Sequence, residues 1–342
     1  MVVMARPALA RSRPSAGEAF VAADVGGTHV RLGLVRADDA GCPLSVSEYR
    51  KYQCADYPGL AEIFEAYLRQ LPGVAVSRGV IASAGYPLED GSVISANLPW
   101  QLSPAAIRER LGFADLRLVN DFEALAHAVA GFDGEQAIRL AGPAIAPAQG
   151  PVLVLGPGTG LGAAVWIPNG ARPVVLATEA GQASLAAGNA RELALLGQML
   201  RGRSHVSIEH ALSGPGLLNL YHAVCALHGS EPALATPNAV TAAALDGHDG
   251  AAREALEVFC GLLGSVCGDL ALTYGIQGGV YLAGGILPHL GDFLLRSDFA
   301  ARFLDKGPMR EALQRIPVKL VEHGQLGVIG AASWYLGHAT DD

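Results

Sequence analysis

Apolar and polar positions along this chain switch repeatedly between a two-residue and a three-to-four-residue period, which predicts strands alternating with helices throughout. The first apolar run, Ala22 to Val35, breaks at Gly26-Gly27-Thr28. Beyond the break Val30, Leu32 and Leu34 alternate with Arg31, Gly33 and Val35, the pattern of a strand returning beside the one before it. A hairpin is expected over 20–35, then a helix over 57–70, a strand and loop over 78–95, a helix over 104–111, a strand over 116–119 and a helix over 122–130. After a long turn-rich crossing, a second hairpin is expected over 151–167, turning at Gly158-Thr159-Gly160. It opens a similar series that ends in helices rich in Ala and Leu. A buried strand over Val280–Ala283 leads into Gly284-Gly285 and a helix start. The closing LGVIGAASWYL stretch has helical spacing, with Leu326, Ile329, Ser333 and Leu336 on one face, and is placed to cross back to the first half. Two hairpins, each opening its own half, describe α/β layers in two related lobes with a cleft between them, where ligands usually sit.

Composition narrows the class. With 342 residues and 51% hydrophobic content the chain can fill one large or two ordinary domains. Net charge is −8 and the basic residues are scattered, so no nucleic-acid or anionic-membrane surface is expected. Five cysteines, Cys42, Cys54, Cys225, Cys260 and Cys267, form no CxxC pair. Reduced thiols in a cytoplasmic protein, packed as small core residues, fit better than a disulfide or zinc framework. Residues 1–17 contain Arg6, Arg11, Arg13, two prolines and no acid; they lack the apolar stretch of a secretory signal and read as a disordered tail. From Leu140 to Ala171 no residue is charged, but Pro143, Pro147, Pro151 and Pro157 interrupt the stretch, which makes it loop and buried strand rather than a membrane span.

The glycine turns are the first candidate chemistry. Glycines permit φ > 0 in a tight turn and carry no Cβ to hold a ligand away. There is no GxxxxGK[ST] motif, so if the turns cradle polyphosphate they do so as a pair of hairpins and not as a P-loop. Gly284-Gly285 admits two readings, a flat ring lying against the backbone or a helix packed closely on a strand. Asn120-Asp121 likewise admits two. Both residues are favoured caps at the start of a helix, and a carboxylate at a strand's C-terminal end is also where an α/β enzyme places a general base.

Taken together, DVGGTHVRLGLV, SANLPW, LVNDFEALAHAV, GPGTGLG, TEAGQ, HVSIEHALSGPGLLNLY, GGVYLAGGILP and the closing DKG, IPVKLVEH and LGVIGAA segments resemble, in order and approximate spacing, the bacterial glucokinases of the hexokinase and actin-like ATPase superfamily. The resemblance covers roughly residues 18–338. The cysteine-rich zinc motif of the related repressor, open-reading-frame and kinase group is absent, which places the likeness in the zinc-free branch. It implies a two-lobed actin-like ATPase (ribonuclease H-like) fold with an interlobe cleft. The small lobe would comprise 18–130 plus 325–342 and the large lobe 131–324. The implied reaction is phosphorylation of glucose, or a closely related hexose, by ATP and Mg²⁺, in a homodimer.

Carried over residue by residue, the resemblance implies that Asp121 is the base that takes the proton of the sugar 6-hydroxyl. Asn97, Asn120, Glu179, Gln182 and Glu209 would bind the sugar beside it. Asp24 would orient Mg²⁺ through its water shell, while Gly26, Gly27 and Thr28 surround the phosphates. In the second turn Leu155 stands where the first has Asp24, leaving Gly158, Thr159 and Gly160 to donate to phosphate without metal. Gly284 and Gly285 would receive the adenosine. Carboxylates and amides suit sugar binding because each can bridge neighbouring hydroxyls, although Glu209 also fits an ordinary solvated helix face.

One segment departs from the family. Thr178-Glu179-Ala180-Gly181-Gln182 stands where the relatives carry Gly-Glu-Gly-Gly-His, so Gln182 replaces a histidine at the sugar's anomeric end, and side chains at 178 and 180 are expected to narrow the loop. A lost hydrogen bond of about 0.5–1.5 kcal/mol corresponds to a roughly 2- to 13-fold weaker site. The change leaves room for a kinase of a different hexose, or for a non-catalytic sugar-sensing or regulatory protein on the same fold. Retention of Asp121 speaks against a sensor, which needs no base. Whether the donor is ATP or polyphosphate is not legible in these residues.

Overall fold

The computed structural model describes residues 14, 17–36, 44–87, 93–94, 98–129, 137–146, 149–170, 173–321 and 324–338. The expected disordered tail, apart from Pro14 and Gly17, lies outside the described residues, as do Cys42 and Asn97. Two compact units emerge: Met1–Gly131 with Gly324–Asp342, and Phe132–His323.

In the first unit the chain forms β1 (Ala19–Val25), β2 (His29–Arg36), β3 (Val46–Gln53), α1 (Leu60–Leu68), β4 (Arg78–Ser83), the short pair β5 (Tyr86–Pro87) and β6 (Val93–Ile94), α2 (Pro104–Leu111), β7 (Asp115–Val119) and α3 (Asp121–Val129). The sheet order is β3-β2-β1-β4-β7, antiparallel through β1, β2 and β3 and parallel through β1, β4 and β7. The predicted two-residue period sorts side chains to both faces of this sheet. Val21, Ala23, Val30, Leu32 and Leu34 pack with Ile63, Phe64 and Tyr67 of α1, while Phe20, Ala22, Val35, Val80 and Ala82 pack on the opposite side. β1 is buried along its whole length, as a strand with covered faces should be. The hairpin gave no local signal for β3 (VSEYRKYQ), because an edge strand needs few apolar positions.

The second unit contains β8 (Ile138–Ala141), β9 (Val152–Pro157), β10 (Leu161–Ile167), β11 (Val174–Thr178), α4 (Ala190–Met199), α5 (Ile208–Ala211), α6 (Gly214–His228), α7 (Pro237–Asp246), α8 (Gly250–Thr273), β12 (Gly279–Leu282), α9 (Gly291–Arg296), α10 (Phe299–Leu304), α11 (Arg310–Leu313) and β13 (Val318–Leu320). Its sheet runs β11-β10-β9-β12-β13-β8. The first five positions repeat the plan of the first unit: three antiparallel strands, then two parallel ones. The helix α8 is apolar and long enough to cross a membrane, but most of its apolar stretch is buried; Phe259, Cys260, Leu263 and Cys267 are at 0% exposure, which makes it a core helix. Burial pushes the Cys260 thiol up to about 12 and raises Cys267 further still, so both behave as the small core residues expected of them. No helix begins at Gly285. The chain passes through a 3-10 turn at Leu287–Leu290 before α9.

The closing helix α12 (Leu326–Gly337) belongs to the first unit and packs on α3 and β1. Its buried side matches the expected face only at Leu326. Val328, Ala331, Ala332 and Tyr335 are fully covered, whereas Ile329, Ser333 and Leu336 are only half-buried. Glycine hides the true contact from any hydrophobicity pattern: a Cβ at Gly330 would collide with the Ala124 carbonyl of α3, and one at Gly327 would lie 2.6 Å from Asp24 Cγ. Beyond the glycines, Trp334 Nε1 donates to Glu123 Oε1 (2.7 Å) and Tyr335 Oη donates to Asp115 Oδ2 (2.7 Å).

Gly330→Ala is therefore expected to destabilise the protein by about 1–3 kcal/mol, the usual cost of overpacking. Gly337→Ala, where no atom stands within 4 Å, should be close to neutral. Denaturant midpoints for the two variants check this, and equal midpoints would disprove the close approach. The α3–α12 contact also has a pH signature. Burial, with the neighbouring His338 second, pushes the His127 imidazole down to about 4. The unfolded chain, titrating near the ordinary 6.5, then binds the proton more readily. This contribution is complete above pH 6.5 and is lost as pH falls toward 4. Between these limits stability should decline more steeply for the native protein than for His127→Gln; parallel declines would show that His127 is not the group responsible.

Candidate active site

In the first unit the β1–β2 register sets Asp24 directly across from Arg31. Arg31 Nη1 donates to Asp24 Oδ2 at 2.9 Å, with Asp24 only 4% exposed. A buried carboxylate is stable when paired in this way. The turn above it is closed by Gly26 N donating to His29 O (3.0 Å). Cys54 braces the turn from behind: its backbone N donates to Thr28 O (2.9 Å) and its thiol to Gly26 O (3.3 Å). Burial, then the positive charges of Lys51 and Arg31, lowers the His29 pKa. Neither Arg31 nor Cys54 was singled out from the sequence. The signal for Arg31 was a lone charge inside an apolar strand, seven residues from a lone acid; for Cys54 there was none.

The turn glycines do not use the positive φ expected of them. Gly26, Gly158 and Gly160 all lie outside that region. The Cβ position of Gly160 is taken by the Glu209 carboxylate, but Gly26 and Gly158 provide space, since the nearest atom to a Cβ at Gly26 would be His29 O at 3.6 Å, and at Gly158 it would be Gly160 O at 4.0 Å. A ligand can therefore approach the backbone where a side chain would stand.

Asn120 and Asp121 sit where β7 ends and α3 begins. Asn120 is the cap: its Oδ1 accepts from Phe122 N (2.9 Å) and Glu123 N (3.1 Å), and its carbonyl accepts from Ala124 N. Asp121 is the first helical residue, and its Oδ1 accepts from Phe122 N (2.9 Å). With Asn120 already satisfying the helix end, the capping explanation of Asp121 is largely taken up by its neighbour. Both side chains are half-buried.

In the second unit, Glu209, Gln182 and the second glycine turn come together. Glu209, half-buried on α5, accepts from Leu161 N through Oε2 (2.8 Å) and from Gln182 Nε2 through Oε1 (3.1 Å). It is not an ordinary solvated helix residue. Exposed Glu179 precedes a 3-10 turn, Ala180–Gln182, and its carbonyl accepts from Gln182 N (2.9 Å). The side chains at 178 and 180 do not narrow this loop as expected: Thr178 Oγ1 donates to Ala163 O (3.1 Å), and Ala180 is buried in the unit's core. Gly284, at φ +139°, lies so close to turn two that a Cβ there would collide with the Pro157 carbonyl, a conformation and a proximity that require glycine. Gly285 has nothing within 4 Å of its Cβ position. At the start of α6, Gly214 N donates to Gly158 O (2.8 Å), beside Ile286 and Pro237.

The donor chemistry bears on which cation these residues would suit. Among the described residues no group of three or more His, Cys, Asp or Glu is arranged to hold a metal ion. A single carboxylate, already paired with Arg31, fits a hydrated Mg²⁺ shared with substrate phosphates and does not fit an ion caged by protein.

Comparison with known proteins gives a consistent answer. The profile of the family described as Glucokinase matches residues 21–338. A glucokinase-like protein of Xylella fastidiosa (strain 9a5c) is 56% identical over 318 residues, covering 93% of this chain and 94% of its own. The crystal structure of a glucokinase from an Antarctic psychrotroph is 34% identical, with a TM-score of 0.81 over 93% of this chain and 98% of that one. A glucokinase from Streptomyces griseus of the repressor, open-reading-frame and kinase (ROK) group, solved in complex with glucose and AMPPNP, shares the fold at 21% identity and a TM-score of 0.59, covering 92% and 98%. With the family profile spanning nearly the whole chain and the α/β actin-like ATPase fold in common with these structures, this protein belongs to the glucokinase family of sugar kinases.

Proposed function

We propose that this chain transfers the γ-phosphoryl group of ATP to the 6-hydroxyl of glucose, giving glucose 6-phosphate and ADP. Family membership supports the reaction class, and the placement of Asp121 carries the mechanism. Its carboxylate stands at a strand's C-terminal end, oriented by Phe122 N, with Asn120 capping the helix in its stead. In this reading Asp121 accepts the proton of the 6-hydroxyl as that oxygen attacks phosphorus, and the proton ends on the Asp121 carboxyl. Asn97, Asn120, Glu179 and Glu209 hold the other hydroxyls in position. Phosphoryl transfer asks little covalent chemistry of a protein and much positioning and charge neutralisation. Gly26 and Gly158, whose own N–H groups close their turns on His29 O and Gly160 O, leave room for the phosphates; Gly27, Thr28, Thr159 and Gly160 supply the donors, and Gly284 and Gly285 leave room for adenosine. Arg31 and Lys51, paired across β2 and β3, support an anion at turn one. Asp24 would hold Mg²⁺ through water, and the ion, when bound, supplies charge neutralisation on the phosphates. AMPPNP in the Streptomyces griseus enzyme supports ATP as donor.

Gln182 is the observation that favours a second reading, a kinase of a hexose other than glucose, and one experiment separates the two. Coupled ADP release over a panel of hexoses should rank glucose first. Asp121→Asn should keep sugar binding and lower kcat by about 10²- to 10⁴-fold, the scale of a lost general base. A near-native kcat in this variant would reduce Asp121 to a structural residue.

Glucose should also raise the melting temperature, since a ligand bound only by the folded state stabilises by about 2.7 kcal/mol at a hundredfold excess over Kd. Glu179→Ala should remove most of that shift. An equal shift in both proteins would take Glu179 out of the sugar site.

A further inference from the structure

One short segment holds both ends of the second glycine turn. Glu209 Oε2 accepts from Leu161 N at the end of the turn, and Gly214 N donates to Gly158 O at its start. Between these two points Ser213 Oγ donates to Glu209 O (2.8 Å) and accepts from Gly216 N (2.9 Å), so α5 and α6 are locked to each other. The carboxylate also packs against Gly160, where a Cβ would lie 2.5 Å from Oε2. Its other oxygen takes the amide of Gln182, from the loop that carries Glu179. The phosphate turn and the sugar loop are thus joined through a single side chain.

We infer that Glu209 couples nucleotide affinity to sugar occupancy, and that Gln182 is the positioning residue that aims its carboxylate. The inference rests on the proposal that Glu209 binds sugar and that this turn binds phosphate. A carboxylate has about four acceptor directions, so Oε1 can take a sugar hydroxyl while keeping Gln182. The added charge-assisted bond orders the carboxylate and with it the bond to Leu161 N, leaving the turn set for phosphate. Sugar therefore tightens nucleotide binding and, by linkage, nucleotide tightens sugar equally. A glutamine amide donates at every pH, whereas a histidine at 182 would add a titrating donor to this bond.

Calorimetric titration of the intact chain with Mg²⁺ and ADP, in the absence and presence of saturating glucose, tests this. Glucose is expected to tighten ADP by about 5-fold, the lower end of usual coupling. In Gln182→Ala the factor should fall below about twofold, with melting temperature confirming a folded protein. Gln182→His should restore the coupling and make it change between pH 5.5 and 7.5. If Gln182→Ala couples as the native protein does, the inference is wrong. If Glu209→Gln leaves glucose affinity itself unchanged, the placement of Glu209 in the sugar site fails, and the coupling fails with it.

Discussion

Close approach of a helix at its glycines, where no Cβ stands in the way, is the constraint on which the first unit depends. At Gly330 the helix α12 meets the Ala124 carbonyl of α3, and at Gly327 it meets Asp24. Two residues assigned to phosphoryl transfer are in this way supported by one element: Asp121 at the start of α3, and Asp24 near the end of β1. The far end of the same helix is anchored by polar bonds to Glu123 and Asp115 and by the ring of Tyr335 against Phe20, with centroids 5.1 Å apart. Such contacts tolerate little adjustment, because closely packed interiors transmit a displacement instead of absorbing it. The placing of the two acids thus depends on a segment that is distant from both along the chain.

The two sheets repeat one plan, and they differ in the residue pair below the turn. In the first, Asp24 faces Arg31 across the hairpin; in the second, Leu155 faces Ala163 and is fully buried. An ion pair has become an apolar pair. The second turn nonetheless has a carboxylate, supplied from α5 by Glu209 through Leu161 N. The same backbone device is served in one unit by an acid within the hairpin, below the turn, and in the other by an acid brought from a distant helix. That arrangement links the second turn to the loop bearing Glu179 and Gln182.

Gln182 shows how a departure from family pattern changes meaning once its neighbours are known. Read along the chain it is a missing histidine at a sugar's edge. In space its amide is engaged with Glu209, and the extra side chains of the loop are folded onto β10 and into the core. The substitution retains a donor at this position and removes a titratable group.

Much of the architecture was present in local sequence. Period-two alternation marked the first hairpin, aliphatic runs broken at small residues marked the second, the break at Asn120-Asp121 marked the passage from β7 to α3, and the ordered motifs marked the family, because each depends on residues adjacent in the chain. The polar edge strand β3, the short strands β8, β11 and β13, and the buried side of α12 were not marked, since an edge such as β3 needs little apolar content, strands of three to five residues are too short to show a period, and glycine contacts carry no hydrophobic signal. The opposition of Arg31 to Asp24, the brace of Cys54 behind Gly26 and Thr28, and the tie from Glu209 to Leu161 and Gln182 were decided by tertiary structure alone. Each joins groups that are distant along the chain or separated by a turn, and hydrogen bonds of that kind depend on register and packing, which local periodicity does not encode.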